Sequence, residues 1–138
     1  MHILENETGD VAGQPYLSVI IPAYNEEKRI AKTLRIVTSY LDRQPFSSEL
    51  LVVLDGPTDQ TLERVRDAAG QSRRIRWLER IENRGKGYSV REGMLAARGS
   101  VRLFTDADNS TDISHFDLMK PLFDRGSEVY DPLFEQKA

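Results

Sequence analysis

The chain contains no cysteine in its 138 residues, so no disulfide can hold it and its stability has to come from a packed core. That absence suits a reducing compartment. Long apolar runs are missing too: the longest unbroken aliphatic stretch, 50–54, is far short of the roughly 20 residues that a membrane-spanning helix requires. The opening stretch MHILENETGD lacks a basic region followed by an apolar segment, so it does not read as a secretory signal. Excess positive charge is also lacking. A formal net charge of −3 and a pI near 5.4 argue against a general nucleic-acid binder, for which a strongly basic face is expected.

What is present fits an ordinary globular protein: 39% hydrophobic and 30% charged residues supply both a core and a solvated surface. The length suits one domain. Residues 1–15 are polar, carry Gly9, Gly13 and Pro15, and show no period, so they read as a flexible lead-in to a domain over 16–138. From Tyr16 onward, β-rich apolar runs at 17–22, 50–54, 75–78 and 101–105 alternate with helical patterns. The first two are nearly continuous in Val, Ile and Leu, as strands buried on both faces are.

The helical stripes are Ile30, Leu34, Val37 and Leu41, then Leu62, Val65 and Ala69, then Val90, Met94 and Ala97, and finally Ile113, Phe116, Met119 and Phe123. Asn25 before Glu26 and Glu27 reads as an N-cap with an acidic first turn, Gly99 as a C-cap, and Pro121 as a kink or split in the last helix. This alternation predicts an α/β fold: an open, mostly parallel sheet with helices on both faces. In such sheets ligands bind beyond the carboxyl ends of the strands.

The unusual polar clusters follow the predicted strands, at 22–26, 55–59, 80–87 and 106–110. Polar loops are common, but four clusters of carboxylates and glycines converge on one rim. Asp106-Ala107-Asp108 ends a strand, and residues two apart in extended chain point the same way. Two such carboxylates suit a hard cation, Mg2+ or Mn2+, although D-x-D also occurs in turns and caps.

Glu82-Asn83-Arg84-Gly85-Lys86-Gly87 precedes a helical stripe, so its amides and the helix N-terminus can face a diphosphate, helped by Arg84 or Lys86. Taken by itself, Gly-Lys-Gly is more often just a flexible turn. It is neither a Walker A loop, since Arg80 stands where that motif's first Gly falls, nor a dinucleotide fingerprint, since its third Gly falls on Val90. Asp55 is placed to meet a base or ribose, while Thr58 or Asp59 reads as a helix cap. A run of cations, Arg73, Arg74, Arg76, Arg80, Arg84, Lys86 and Arg91, against only Glu79 and Glu82, suits an anionic ligand, a membrane surface or a plain solvated face.

Taken in order, Ser18-Val19-Ile20-Ile21-Pro22-Ala23-Tyr24-Asn25-Glu26-Glu27, the Asp55 stretch, Asn83-Arg84-Gly85-Lys86-Gly87 and Asp106-Ala107-Asp108 resemble family 2 glycosyltransferases of the GT-A, Rossmann-like type. Residues 83–87, 90–99 and 104–111 resemble the dolichyl- and polyprenyl-phosphate glucosyltransferase branch, and the likeness covers roughly 16–126. The resemblance implies that Pro22, Tyr24 and Glu26 line a nucleotide pocket, Asp55 contacts base or ribose, Lys86 lies near the diphosphate, and Asp106 and Asp108 form the metal site. It further implies an inverting, metal-dependent transfer of glucose from UDP-glucose to a polyprenyl or dolichyl phosphate at a membrane surface. The expected location is cytoplasmic, peripheral at the cytoplasmic membrane face, and no oligomeric state is implied.

Three positions bear on this reading. Leu54 stands where the family commonly has a first acid of a pair, and Pro57 replaces its usual Ser, which leaves nucleotide choice open. Ser110 occupies a place where mannosyl-lipid relatives often carry Gln, which favours glucose. The sequence stops after residues 127–138, where the family continues with a further strand and an acceptor-binding half, so the expectation is a truncated, donor-binding half that transfers poorly alone.

An alternative within the same fold is an inactive nucleotide-sugar-binding module that needs a partner. A phospho-receiver domain would need an acid pair after the first strand, where Tyr24-Asn25 stands. A nucleotidyltransferase would open with a Gly- and Arg-rich loop, absent from that position.

Overall fold

The computed structural model describes residues 3–5 and 14–126. Five strands form one sheet in the order β1-β4-β3-β2-β5. Strands β2 (Leu17–Ala23), β3 (Ser48–Asp55), β4 (Ile75–Arg80) and β5 (Val101–Phe104) run parallel, while β1 (Ile3–Glu5) pairs antiparallel with β4 at the edge. Strand β1 corrects the expectation that order begins at Tyr16 and that 1–15 are only a lead-in. The rest of 1–13, and residues 127–138, lie outside the described residues.

The α/β expectation is otherwise borne out, with helices on both faces of a mostly parallel sheet. Strands β2 and β3 are buried along their whole length, as their continuous aliphatic runs require. Side chains alternate between faces. Val19, Ile21, Leu50, Val52 and Leu54 pack with Leu34, Val37 and Leu41 of α1 (Ile30–Asp42), Val65 of α2 (Thr61–Gln71), and Phe116 and Met119 of α4 (Phe116–Asp124). On the opposite face Ile20, Leu51, Val53 and Leu78 meet α3 (Lys86–Ala96) and the Ala97 that follows it. Fully burying each such aliphatic side chain contributes about 1.5–3 kcal/mol.

Helix α3 sits close because it presents small residues. Its buried positions are Ser89 and Gly93, not the predicted stripe, and Val90 and Met94 are only partly buried. A Cβ built on Gly93 would stand 2.4 Å from Ile20 Cγ2 and 3.0 Å from Val53 Cγ2. Both neighbours are buried and cannot step aside. Gly93→Ala is therefore expected to destabilise the fold by about 1–3 kcal/mol through overpacking, read as a lowered urea midpoint with unchanged slope.

Several predicted ends move. Helix α1 starts at Ile30, and Asn25, expected as its cap, has left-handed backbone (φ 50°) and bonds to another loop. Helix α3 ends at Ala96, so Gly99 is no C-cap; its amide donates to Ser18 Oγ at 2.8 Å. The last helix splits not at Pro121 but at Phe116, after a 3-10 turn at Ile113–His115 that Asp112 caps by accepting from the Ser114 amide at 2.8 Å. Pro121 lies exposed within α4.

Candidate functional site

The chain proceeds β2, β3, β4 in one direction across the sheet and then returns to place β5 on the other side of β2. That reversal opens a crevice at the carboxyl ends of β2, β3 and β5. A cleft of about 330 Å³ lies there, lined by Pro22, Ala23, Tyr24, Glu26, Asp55, Lys86, Asp106, Ala107 and Asp108. Those are the residues singled out in the sequence, with one exception. The Arg84 guanidinium is not on the cleft wall: it pairs with Glu82 at 2.9 Å and lies 5.3 Å from the Tyr88 ring centroid. A larger groove of about 580 Å³ lies at the other end of the sheet, beside Ser48 and Ile75 where β3 and β4 begin. It holds none of the four polar clusters, so the smaller cleft is the candidate site.

The loops after β2 and β3 are locked together. The Thr58 amide donates to Asn25 Oδ1 at 2.8 Å, and the Glu26 amide to Thr61 Oγ1 at 2.8 Å. The Glu27 amide donates to Asp59 Oδ2, and the Gln60 amide to Glu27 Oε2, each at 3.2 Å. Asp59 Oδ1 also accepts from the Thr61 amide at 2.9 Å, just ahead of α2. Neither Thr58 nor Asp59 occupies the expected cap position, which Gln60 takes without a side-chain bond; Thr58, Asp59 and Thr61 instead hold Asn25, Glu27 and Glu26 beside the cleft rim. Burial pushes the Asp59 carboxyl up, but hydrogen bonds from the Thr61 hydroxyl and amide and the Glu27 amide outweigh it and hold the group below its ordinary range.

Asp106 and Asp108 are brought together by a turn, not by extended strand. Strand β5 ends at Phe104, and the Asn109 amide closes the turn on the Asp106 carbonyl at 3.1 Å. Between the two acids Ala107 is buried in the core, and its carbonyl accepts from Thr33 Oγ1 of α1 at 2.6 Å. Ser110 bridges the pair: its hydroxyl donates to Asp106 Oδ2 at 3.1 Å and its amide to Asp108 Oδ1 at 3.0 Å. That amide, then the hydroxyl and Arg29, keep the Asp108 carboxyl below its usual range.

Lys86 Nζ donates to Asp106 Oδ1 and lies 5.8 Å from the Phe104 ring centroid. The two carboxylates offer oxygen ligands that fit a hard divalent cation taking its other ligands from water and phosphate, with Lys86 beside Asp106 and Arg29 3.9 Å from Asp108 as the cations it would share them with. Among the described residues no group of three or more His, Cys, Asp or Glu side chains is placed to form a dedicated metal cage.

Asp55 sits deeper. Its Oδ1 accepts from the Arg84 amide at 2.8 Å and from Arg80, and its Oδ2 from the Gly85 amide at 2.9 Å. Gly56 follows with φ +62°, and a Cβ there would meet the Ile81 carbonyl at 2.6 Å, so a side chain is excluded where the two loops touch.

Arg80 was missed as a site residue because it read as one cation in a basic run. It is buried with Arg76, and the other cations of that run point to separate places: Arg74 to Asp42 at 2.8 Å, Arg84 to Glu82, Lys86 to Asp106. Arg80 Nη1 is buried without a hydrogen-bond partner, a cost of about 1–3 kcal/mol, offset in part by the Tyr88 ring 4.8 Å from the guanidinium carbon.

Comparison with known proteins bears on the family and the fold. The sequence profile of glycosyl transferase family 2 matches residues 18–134. A dolichyl-phosphate beta-glucosyltransferase of Drosophila melanogaster is 44% identical over 114 residues, covering 75% of this chain and 34% of that protein. The fold resembles a mannosyltransferase from Pyrobaculum calidifontis in complex with GDP-Man and Mn2+ (TM-score 0.61, 29% identity, 70% of this chain and 28% of that one). It also resembles S. aureus TarS in complex with UDP-GlcNAc (TM-score 0.63, 25% identity, 84% of this chain and 37% of that one). The chain spans about a third of the length of the curated relatives it matches.

Proposed function

The chain belongs to glycosyl transferase family 2, and from that premise we propose that its cleft binds a nucleotide-diphosphate sugar together with Mg2+ or Mn2+, for inverting transfer of glucose from UDP-glucose to a polyprenyl or dolichyl phosphate. The observation that carries this reading is the gathering of Pro22, Tyr24, Glu26, Asp55, Lys86, Asp106 and Asp108 around one cleft at the strand reversal. Residues from three strand ends and the start of a helix meet there.

In this reading Pro22, Tyr24 and Glu26 border the nucleoside, and Asp55 meets base or ribose with a carboxylate already anchored to the 84–85 amides. Lys86 and the first turn of α3 face the diphosphate, where a cation and a helix N-terminus both favour negative charge. Asp106 and Asp108 would hold the metal, which supplies Lewis-acid neutralisation of the departing nucleoside diphosphate. The bond from the anomeric carbon to that diphosphate breaks as a phosphate oxygen of the acceptor forms its own bond from the opposite face. An acceptor phosphate is ionised near neutral pH and needs little general-base help.

Glucose is preferred because the Drosophila relative is named a dolichyl-phosphate beta-glucosyltransferase, and uridine because the similarly folded TarS is in complex with UDP-GlcNAc. A cytoplasmic location, peripheral at the membrane face that presents the acceptor, belongs to the same proposal. Among the described residues no helix is long and apolar enough to cross a bilayer.

The test is a transfer assay with UDP-glucose, UDP-GlcNAc and GDP-mannose as competing donors and dolichyl phosphate as acceptor. Glucosyl lipid formed selectively from UDP-glucose, slowly with this chain alone, is the expected result. Mannosyl lipid as the main product would overturn the donor assignment. Donor binding with no turnover under any condition would favour a binding module.

A further inference from the structure

Two buried arginines, Arg76 and Arg80, project from the same face of β4 and hold opposite ends of α3. At the far end Arg76 Nε donates to Glu49 Oε1 at 2.6 Å and Nη2 to the Ala96 carbonyl at 2.8 Å. At the near end Arg80 Nε donates to the Glu82 carbonyl at 3.0 Å, and Nη2 to Ser89 Oγ at 2.5 Å and to the Asp55 carboxylate. Asp55 in turn accepts from the Arg84 and Gly85 amides. Arg80 therefore fixes, directly or through Asp55, the carbonyl of residue 82, the amides of 84 and 85, and the first turn of α3. Lys86 is the first residue of that helix and lines the cleft.

We infer that Arg80 is a positioning residue for the donor diphosphate: it sets Lys86 and the N-terminus of α3 against the cleft while its own guanidinium touches no ligand. Its burial keeps it from any cleft occupant, so its effect has to pass through Asp55, Ser89 and the 82–85 loop. A lysine cannot replace it, because four fixed directions are in use: the residue 82 carbonyl, the Asp55 carboxylate, the Ser89 hydroxyl and the Tyr88 ring face. Arg76 provides the internal control, being a buried arginine of the same strand and face, paired with a carboxylate and bonded to the same helix, but at the end away from the cleft. The inference rests on reading the cleft as a donor site.

The test is calorimetric titration of UDP in the presence of Mn2+ into the wild-type chain and the variants Arg80→Met, Ser89→Ala and Arg76→Met, at a temperature where circular dichroism finds each folded. Ser89→Ala removes one Arg80 contact without stranding a buried charge, and so keeps the test valid should Arg80→Met fail to fold. Arg80→Met is expected to weaken UDP binding at least 10-fold and Ser89→Ala about threefold, while Arg76→Met stays within twofold of wild type despite a lowered melting temperature. Unchanged affinity in Ser89→Ala and Arg80→Met would overturn the inference, as would an equal loss in Arg76→Met. Absence of UDP binding in the wild-type chain would instead overturn the donor-site reading on which it rests.

Discussion

Replacing Asp108 by Asn is expected to abolish metal-dependent binding of UDP-glucose while leaving the fold intact. The turn survives because the amide oxygen of Asn can accept from the Ser110 amide as Asp108 Oδ1 does at 3.0 Å, and because the buried Ala107 with its Thr33 anchor is untouched. What disappears is one of the two carboxylate charges that Ser110 bridges at the 106–110 turn. Losses of roughly 10–100-fold follow when a group merely supporting a metal ligand is removed, so the loss of a ligand itself is expected to exceed about 100-fold. Stability should move by no more than about 0.5 kcal/mol, since the side chain is exposed and outside the core. Circular dichroism and a UDP-glucose titration with and without Mn2+ measure both. A variant whose affinity Mn2+ still raises as in wild type would remove Asp108 from the metal site.

The largest stability effect is expected at Glu49, on the other end of the same sheet face. Glu49 Oε1 accepts from Arg76, and its Oε2 accepts from Ser18 Oγ at 2.5 Å and from the Arg98 amide at 2.6 Å, with both charged side chains almost wholly enclosed. Glu49→Leu leaves the Arg76 cation buried without this carboxylate, a defect of about 3–5 kcal/mol. That is a large part of the roughly 5–15 kcal/mol that holds a domain together. The melting temperature should fall by on the order of 10–20 °C.

The same site carries a pH dependence. Burial pushes the Glu49 carboxyl up, but the hydrogen bonds from Arg76, Ser18 and the Arg98 amide outweigh it and hold the group below its ordinary value. The stabilisation is therefore complete above the unfolded value of about 4.3 and is lost as pH falls through the lower folded value. Wild-type stability should drop steeply below about pH 4, and Glu49→Gln, already weakened at neutral pH, should show a flatter acid limb. Parallel acid limbs in urea titrations of the two proteins would contradict this.

How much of this was legible in the sequence depends on the range of the interaction. The parallel strands were readable because burial on both faces demands unbroken aliphatic runs such as those within β2 and β3. The cleft was readable because the chemistry of an α/β sheet concentrates where strands end, so local polar clusters mark it before any contact is known. What stayed hidden was nonlocal. Arg76 meets a carboxylate 27 residues away and Arg80 one 25 residues away, and no local pattern distinguishes either from a solvated arginine.

Helix α3 misled for a related reason: its sheet-facing side is small rather than apolar, with Ser89 and Gly93 buried, while Met94 of the expected stripe packs only partly buried against the core and Ala97 is buried just past the helix end. The turn at 106–109 was read as strand because spacing two suits both geometries, and the bond from the Asn109 amide to the Asp106 carbonyl that closes the turn is not legible from that spacing. Asn25 showed the opposite failure. Its side chain is a good helix cap in the abstract, yet bonds to the Thr58 amide and hydroxyl across the cleft rim hold it in left-handed backbone ahead of the helix.

The central claim is that this cleft holds a nucleoside-diphosphate sugar through a divalent cation between Asp106 and Asp108. Isothermal titration of UDP-glucose into the chain with Mn2+, repeated in EDTA, tests it most directly. Saturable one-site binding with Mn2+ that weakens at least 10-fold in EDTA is the predicted result; no binding under either condition, or equal affinity in both, would contradict it.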